Sequence, residues 1–91
     1  MILLKFSYRT RGTCSRQINF EIEDRKLRNV EYISGCNGNL QGIAKLVEGM
    51  DIDEVRERLR GISCGGKPTS CPDQLAQALD EAEKKLNSEH A

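Results

Sequence analysis

The spacing of apolar residues changes near residue 35, and this change constrains the fold of the 91-residue chain more than any other feature. Before it, apolar and polar side chains alternate, which is typical of strands with one buried face. After it, apolar residues recur every three or four positions, as they do in amphipathic helices. The sequence therefore predicts an α+β fold, in which three strands are followed by three helices packed on one face of the sheet.

Three strands are predicted in the first third of the chain. Apolar and polar residues alternate in Leu4–Arg9 and more regularly in Ile18–Glu23, and Leu27–Ile33 is rich in residues that favour strands. Asp24 and Arg25 leave a link short enough for a tight hairpin, although they are not the Asn-Gly or Asp-Gly pair that such turns favour. The strands are therefore predicted to form an antiparallel meander.

Three helices are predicted after the strands. The first has an apolar stripe that ends at Val47, and the second begins at Asp51, a capping residue, and stops at Gly61. Ser70 is predicted to cap the third, with Asp73 three residues later in the pattern of a capping box. The apolar stripe of the third helix is the clearest in the chain and consists of Leu75, Ala78, Leu79, Ala82 and Leu86.

The composition indicates one small globular domain, which we place at residues 1–86, with a frayed tail at 87–91. The longest apolar run, Met1–Leu4, is too short for a membrane span or a signal peptide, so we expect a cytoplasmic protein that does not bind membranes. A net charge of zero and the absence of Trp give no indication of nucleic-acid binding. The sequence does not indicate an oligomeric state.

The four cysteines are Cys14, Cys36, Cys64 and Cys71, and each lies where the chain reverses or a helix begins. None falls on an apolar stripe, where a cysteine that only fills the core is usually found. Thiols of a cytoplasmic protein are kept reduced, which favours metal binding or redox chemistry over structural disulfides.

The predicted meander brings three of these thiols to one end of the molecule. The turn after the first strand carries Cys14 and the exit of the third strand carries Cys36, and both lie at the same end of a meander. Cys71 begins the third helix, and Cys64 could fold back as a fourth ligand. Four thiolates suit zinc or an iron–sulfur cluster, whereas reactive metal-free thiols and merely structural cysteines remain alternatives.

Other candidate residues give weaker signals. Gly35 and Gly38, beside the first helix, could form an anion-binding nest, or they could simply allow the chain to reverse. His90 lies in the predicted tail and is not expected to be a ligand. Without a second histidine there is no Cys–His or Ser–His dyad. An enzyme acting alone would have to rely on its thiols, a metal, Lys67 or Arg16, so independent enzymatic activity is not expected.

Residues 69–76 read Thr-Ser-Cys-Pro-Asp-Gln-Leu-Ala, and this run resembles the signature of the TSCPD domain family. The resemblance extends to Thr13–Ser15, Gly35–Asn39 and Leu46–Met50. Such domains occur as small free-standing proteins and at the C-termini of adenosylcobalamin-dependent ribonucleotide reductases. The resemblance therefore implies an accessory role associated with a reductase and with deoxynucleotide synthesis, since this chain is too short to hold the catalytic barrel.

The order of strands, helices and cysteines also resembles, more distantly, the U-type iron–sulfur cluster scaffold proteins. The three cysteines of that pattern would correspond to Cys14, Cys36 and Cys71. Where the pattern has an Asp after its first cysteine this chain has Arg16, and where it has a His before its last cysteine this chain has Ser70. These departures weaken the case for a labile cluster.

Three hypotheses follow. The first is an accessory domain with a closed zinc or iron–sulfur site that uses all four cysteines. The second is a scaffold or carrier of iron–sulfur clusters, which would use three cysteines and an iron–sulfur partner protein. The third is a relay in which Cys64 and Cys71 alternate between dithiol and disulfide to re-reduce the active site of a reductase or other thiol partner protein.

Overall fold

The computed structural model describes residues 3–13, 15–34, 37–62 and 69–90, and it has the predicted α+β architecture. The strands are β1 (Leu3–Arg9), β2 (Gln17–Glu23) and β3 (Lys26–Ile33). They form one antiparallel sheet in the order β1-β2-β3, so the meander is confirmed. The helices are α1 (Asn37–Val47), α2 (Ile52–Leu59) and α3 (Cys71–His90).

The β2–β3 hairpin turns through two residues that both have positive φ. Asp24 has φ 52° and Arg25 has φ 63°, and Glu23 pairs with Lys26 on either side of them. Two successive residues of this kind give the type I′ turn, whose twist matches that of the strands. Farther along β3, Asn29 also has positive φ, at the point where the register between β2 and β3 shifts. The hairpin is therefore both tightly turned and bulged, without a glycine at either position.

The core lies between the sheet and the helices, and β2 contributes its centre. Ile18, Phe20 and Ile22 alternate along β2 and are each at most 2% exposed. The apolar stripe of α3 covers them, with Leu75 and Leu79 fully buried. The period-2 and period-3.6 patterns of the sequence thus meet in a single core.

The cap at the start of α2 and the chain reversal before it follow the sequence signals. The Asp51 side chain accepts a hydrogen bond from the Asp53 N–H and so caps α2. Gly49 and Gly61 have φ values of 79° and 85°, which glycine adopts at little cost after a helix. Residues 49–52 also bond to the hairpin, because Leu27 donates to the Met50 carbonyl and Ile52 donates to the Arg25 carbonyl.

Three arginines and three carboxylates join the hairpin, α2 and α3 on the surface. We call this group the ion-pair cluster, and it consists of Arg25, Asp53, Arg56, Arg60, Asp80 and Glu83. Arg25 lies 3.0 Å from Asp53 and 2.9 Å from Glu83, and Arg60 lies 2.7 Å from Asp80. These hydrogen bonds from arginine lower the pKa of all three carboxyl groups, although partial burial opposes the effect.

In the part of the chain that the structure describes, no helix is both long enough and apolar enough to cross a membrane. Even α3, with 20 residues, carries charged side chains through its length.

Candidate functional site

Cys71 is the first residue of α3 and lies at the end of the molecule where β1 and β3 finish. Ser70 caps the helix, since its hydroxyl oxygen accepts the Asp73 N–H at 3.1 Å, as the sequence predicts. A thiol at a helix N-terminus is stabilised as thiolate by the N–H groups and dipole of the first turn. Cys71 is only 7% exposed and lies one helical turn before Leu75, so it continues the buried face of α3. The prediction that no cysteine falls on an apolar stripe is therefore wrong for Cys71.

The connection between β1 and β2 covers the Cys71 thiol. Ser15 is 4% exposed, and its hydroxyl oxygen lies 3.2 Å from the Cys71 sulfur. Thr10 and Thr13 fix this serine, because the Thr10 hydroxyl donates to the Ser15 carbonyl at 2.5 Å and the Thr13 hydroxyl lies 3.2 Å from the Ser15 hydroxyl. The residue that follows Cys14 in the sequence is thus in direct contact with the Cys71 thiol.

The end of β3 reaches the same place. Ile33 accepts a hydrogen bond from the Arg16 N–H at 2.8 Å, which ties the last residue of β3 to the β1–β2 connection. The Tyr32 hydroxyl donates to the Cys71 carbonyl at 3.0 Å. Burial, and secondarily the negative charge of a Cys71 thiolate, raise the pKa of Tyr32, so the phenol stays protonated and remains a donor.

Asp73 holds both flanks of the connection between α2 and α3. Its carboxylate accepts the Gly61 N–H at 2.8 Å and the Thr69 hydroxyl at 2.5 Å, and it also accepts the Gln77 amide at 2.8 Å. Burial opposes ionisation of this side chain, but these hydrogen bonds lower the pKa of Asp73 overall. Ser70 adds a second tie, because its hydroxyl donates to the Ile62 carbonyl at 2.6 Å.

Gln74 links the same network to the β1–β2 connection. Its carbonyl oxygen accepts the Arg11 N–H at 3.0 Å, and its amide donates to the Thr69 hydroxyl at 2.9 Å. Gln74 is 3% exposed, and its bond to Thr69 is buried, whereas its bond to Arg11 is partly buried. Four neighbours of Cys71 in the sequence therefore anchor chain segments around it: Thr69, Ser70, Asp73 and Gln74.

The sequence-predicted site residues divide into two groups. Cys14, Gly35, Cys36 and Cys64 lie outside the described residues, so their convergence with Cys71 stays a prediction. Gly38 lies in the first turn of α1, where a Cβ would meet no atom within 4 Å, so its surroundings are open. His90 is the last residue of α3. Among the described residues, which include Cys71 alone of the four cysteines, no group of three or more His, Cys, Asp or Glu could hold a metal ion.

Sequence reasoning missed the role of Asp73. The Ser70–Asp73 spacing suggests a capping box, in which the carboxylate would bond back to the cap residue's N–H. The carboxylate is bonded instead to Gly61 and Thr69, and the approach of Gly61 to α3 depends on tertiary structure. The sequence therefore predicts the cap formed by Ser70 but not the hydrogen bonds made by Asp73.

A family model described as TSCPD domain matches residues 5–83 of the chain. The match includes all four cysteines and every residue that surrounds Cys71 in the structure. The chain belongs to the TSCPD domain family. In this TSCPD domain the signature residues are the ones that gather three chain segments around a buried helix-terminal thiol. No curated protein and no solved structure is similar enough to count as a match.

Proposed function

We propose that this TSCPD domain is a metal-binding accessory domain, in which Cys14, Cys36, Cys64 and Cys71 hold zinc or an iron–sulfur cluster. The observation that carries the proposal is the contact between Ser15 and Cys71, at 3.2 Å between oxygen and sulfur. Consecutive Cα atoms are about 3.8 Å apart, so this contact supports a position for Cys14 beside Cys71.

The flanks of the other two cysteines give further support. Cys36 follows Ile33 by three residues, and the Ile33 carbonyl is bonded to the same connection that contacts Cys71. Cys64 follows Ile62 by two residues, and the Ile62 carbonyl is bonded to Ser70. Each described segment that leads to a cysteine is therefore tied to the start of α3.

The chemistry of the described donor suits such a group. Zinc and iron–sulfur clusters bind thiolates, and Cys71 supplies one cysteine sulfur at the N-terminus of α3. The Ser15 hydroxyl lies within hydrogen-bond distance of the sulfur, and hydrogen bonds around a ligand orient it and adjust its basicity. A bound metal would cross-link the chain segments and so stabilise the fold.

The partner we propose is a ribonucleotide reductase. This association rests on the family resemblance, since TSCPD domains occur at the C-termini of reductases that use adenosylcobalamin. The domain would act in the cytoplasm, where thiols stay reduced, as an accessory to deoxynucleotide synthesis and not as an independent enzyme.

Two alternatives use subsets of the same thiols. A cluster scaffold would use Cys14, Cys36 and Cys71 and leave one position open for a partner protein. A thiol relay would use Cys64 and Cys71, and the ties that hold both flanks of residues 63–68 near α3 favour closure of such a disulfide. In the relay, two thiols lose two electrons and two protons to a disulfide of the partner, which is reduced to two thiols.

Two serine variants separate these functions. With a closed four-thiolate site, Cys64→Ser should lower both metal affinity and melting temperature, because metal binding and folding are coupled. With a three-cysteine scaffold, Cys64→Ser should change little, while Cys36→Ser abolishes cluster assembly. With a relay, Cys64→Ser should remove a reducible disulfide and leave metal content and melting temperature near those of the parent.

The measurements are metal content and melting temperature, with and without chelator, on protein purified anaerobically. Ser15→Ala keeps every thiol and removes only the hydroxyl beside Cys71, so it distinguishes the loss of a ligand from the loss of a hydrogen bond to a ligand. Zinc affinity of Cys64→Ser equal to that of the parent chain would rule out the four-thiolate site.

A further inference from the structure

β1 is an edge strand whose apolar side chains are incompletely covered. In the order β1-β2-β3, only one side of β1 is paired. On the core face, Leu4, Phe6 and Tyr8 are half-buried, whereas their β2 partners Ile22, Phe20 and Ile18 are at most 2% exposed. Every second residue of an edge strand also directs its N–H and C=O groups away from the sheet. A further strand beside β1 would bury these side chains and satisfy these groups.

A cleft of about 530 Å³ adjoins this edge, between β1 and α3. Ser7, Tyr8 and Arg9 line it from β1, Arg11 lines it from the connection to β2, and α3 supplies Gln74, Gln77, Glu81 and Lys85. The cleft therefore runs beside the C-terminal half of the free edge.

The charges around the cleft are mostly positive and are not neutralised within the fold. Arg9, Arg11 and Lys85 form no ion pair with any residue in the described ranges. The single carboxylate, Glu81, lies 3.7 Å from Lys84 and is partly compensated. The arginines of the ion-pair cluster, by contrast, all have carboxylate partners.

We propose that the free edge of β1 and the adjoining cleft bind an extended, acidic segment of a partner protein. The segment would add to the sheet as a strand, and its carboxylates would pair with Arg9, Arg11 and Lys85. This role requires no thiol, because no cysteine lines the cleft, although Arg11 and Gln74 belong to both the cleft and the network around Cys71.

The charges and the backbone exclude two other occupants. A second copy of β1 would bring its own Lys5 and Arg9 against those of the first, and like charges across paired strands are destabilising. The phosphates of a nucleic acid could pair with the arginines, but they have no N–H groups to donate to the carbonyl groups of the strand edge. An acidic peptide can pair its carboxylates with the cationic side chains and its backbone N–H and C=O groups with the free edge of β1.

The test uses a fluorescent seven-residue peptide of alternating Val and Glu, a matched peptide with Lys in place of Glu, and a single-stranded oligodeoxynucleotide. Binding to the 91-residue chain is followed by fluorescence anisotropy. The Glu peptide should bind at least roughly tenfold more tightly than the Lys peptide. The double variant Arg9→Glu, Arg11→Glu should weaken its binding at least about tenfold, whereas Lys45→Glu, on the exposed side of α1, should leave it unchanged.

Amide exchange tests whether the peptide adds as a strand. Binding should slow exchange at alternate amides of Leu3–Arg9, and circular dichroism should show that the variants keep the parent's fold. Three results would overturn the proposal: equal binding of the Glu and Lys peptides, equal weakening by Lys45→Glu, or unchanged exchange along β1. Binding of the oligonucleotide but not the Glu peptide would assign the cations to a nucleic acid instead.

Discussion

At the scale of single residues, the polar side chains of the TSCPD signature, residues 69–76, form hydrogen bonds that hold other chain segments around Cys71. Ser70 caps α3 and bonds Ile62, Asp73 bonds Gly61, and Gln74 bonds Arg11. Apart from the cap, each of these bonds joins the start of α3 to another segment of the chain. Hydrogen bonds between polar residues thus hold the chain segments together around Cys71, whereas apolar packing holds them together elsewhere in the core.

Asp73→Asn should destabilise the domain by about 1–3 kcal/mol, because a buried carboxylate that accepts three hydrogen bonds is replaced by an amide with one acceptor oxygen. Urea denaturation at neutral pH gives the difference from the parent chain. Glu81→Gln is the matched control on the same helix, where the carboxylate is exposed and lies 3.7 Å from Lys84. A loss no greater than that of Glu81→Gln would contradict the role given to Asp73.

At this scale the sequence predicts caps but not tertiary hydrogen bonds. Ser70 and Asp51 were identifiable because a cap acts on N–H groups two or three residues away. The partners of Asp73 and Gln74 lie 12 and 63 residues away, and no local pattern encodes them.

At the scale of elements, Arg25 in the β2–β3 turn has an unfavourable backbone conformation, and its side chain joins the turn to two helices. Arg25 has positive φ, which costs a residue other than glycine about 1 kcal/mol. Its guanidinium bonds Asp53 on α2 and Glu83 on α3, and its carbonyl accepts the Ile52 N–H. The turn is therefore fixed by the helices, which explains why a hairpin forms without an Asn-Gly pair.

Arg25→Gly and Arg25→Ala separate these two effects. Both variants lose the ion pairs, which at this half-exposed position contribute at most about 1 kcal/mol. Only glycine also relieves the positive φ, so Arg25→Gly should be more stable than Arg25→Ala by about 1 kcal/mol. Urea denaturation measures both. If Arg25→Ala is at least as stable as Arg25→Gly, the turn is not strained.

The ion-pair cluster should make stability depend on acid pH. The pKa values of Asp53, Asp80 and Glu83 are lowered from ordinary values of 3.8, 3.8 and 4.5. A carboxyl group whose pKa is lower in the folded state stabilises the fold above its unfolded pKa, and this contribution disappears as pH falls through the folded pKa. The urea midpoint should therefore hold steady down to about pH 5 and fall below it.

Arg56→Met tests this dependence, because Arg56 bonds all three carboxylates. The variant should show a shallower loss of stability below pH 5 than the parent, whereas Arg58→Met, which removes only a pair with Glu54, should keep the parent's profile. Parallel profiles for Arg56→Met and the parent would show that Arg56 does not contribute to the lowered pKa values of these carboxyl groups.

At the scale of the whole molecule, the fold was predictable and the site only in part. Alternation in β2 and the stripe of α3 are strong periodic signals, and they specify the two faces that form the core. The meander also predicts that the end of β1 and the end of β3 lie at the same end of the sheet. The contacts of Ser15 and Tyr32 with Cys71 agree with this prediction. The other three cysteines lie outside the described residues and outside the periodic segments of the sequence, so periodicity gives no information about where their thiols lie.

The most direct test is the metal content of the 91-residue chain purified anaerobically, measured by mass spectrometry beside Cys71→Ser. We predict about one zinc ion per chain, or iron with a matching amount of acid-labile sulfide, and loss of that metal in the variant. Removal of the metal by chelator should lower the melting temperature of the parent. Little metal in the parent, with a melting temperature that added zinc does not raise, would contradict a thiolate metal site in this TSCPD domain.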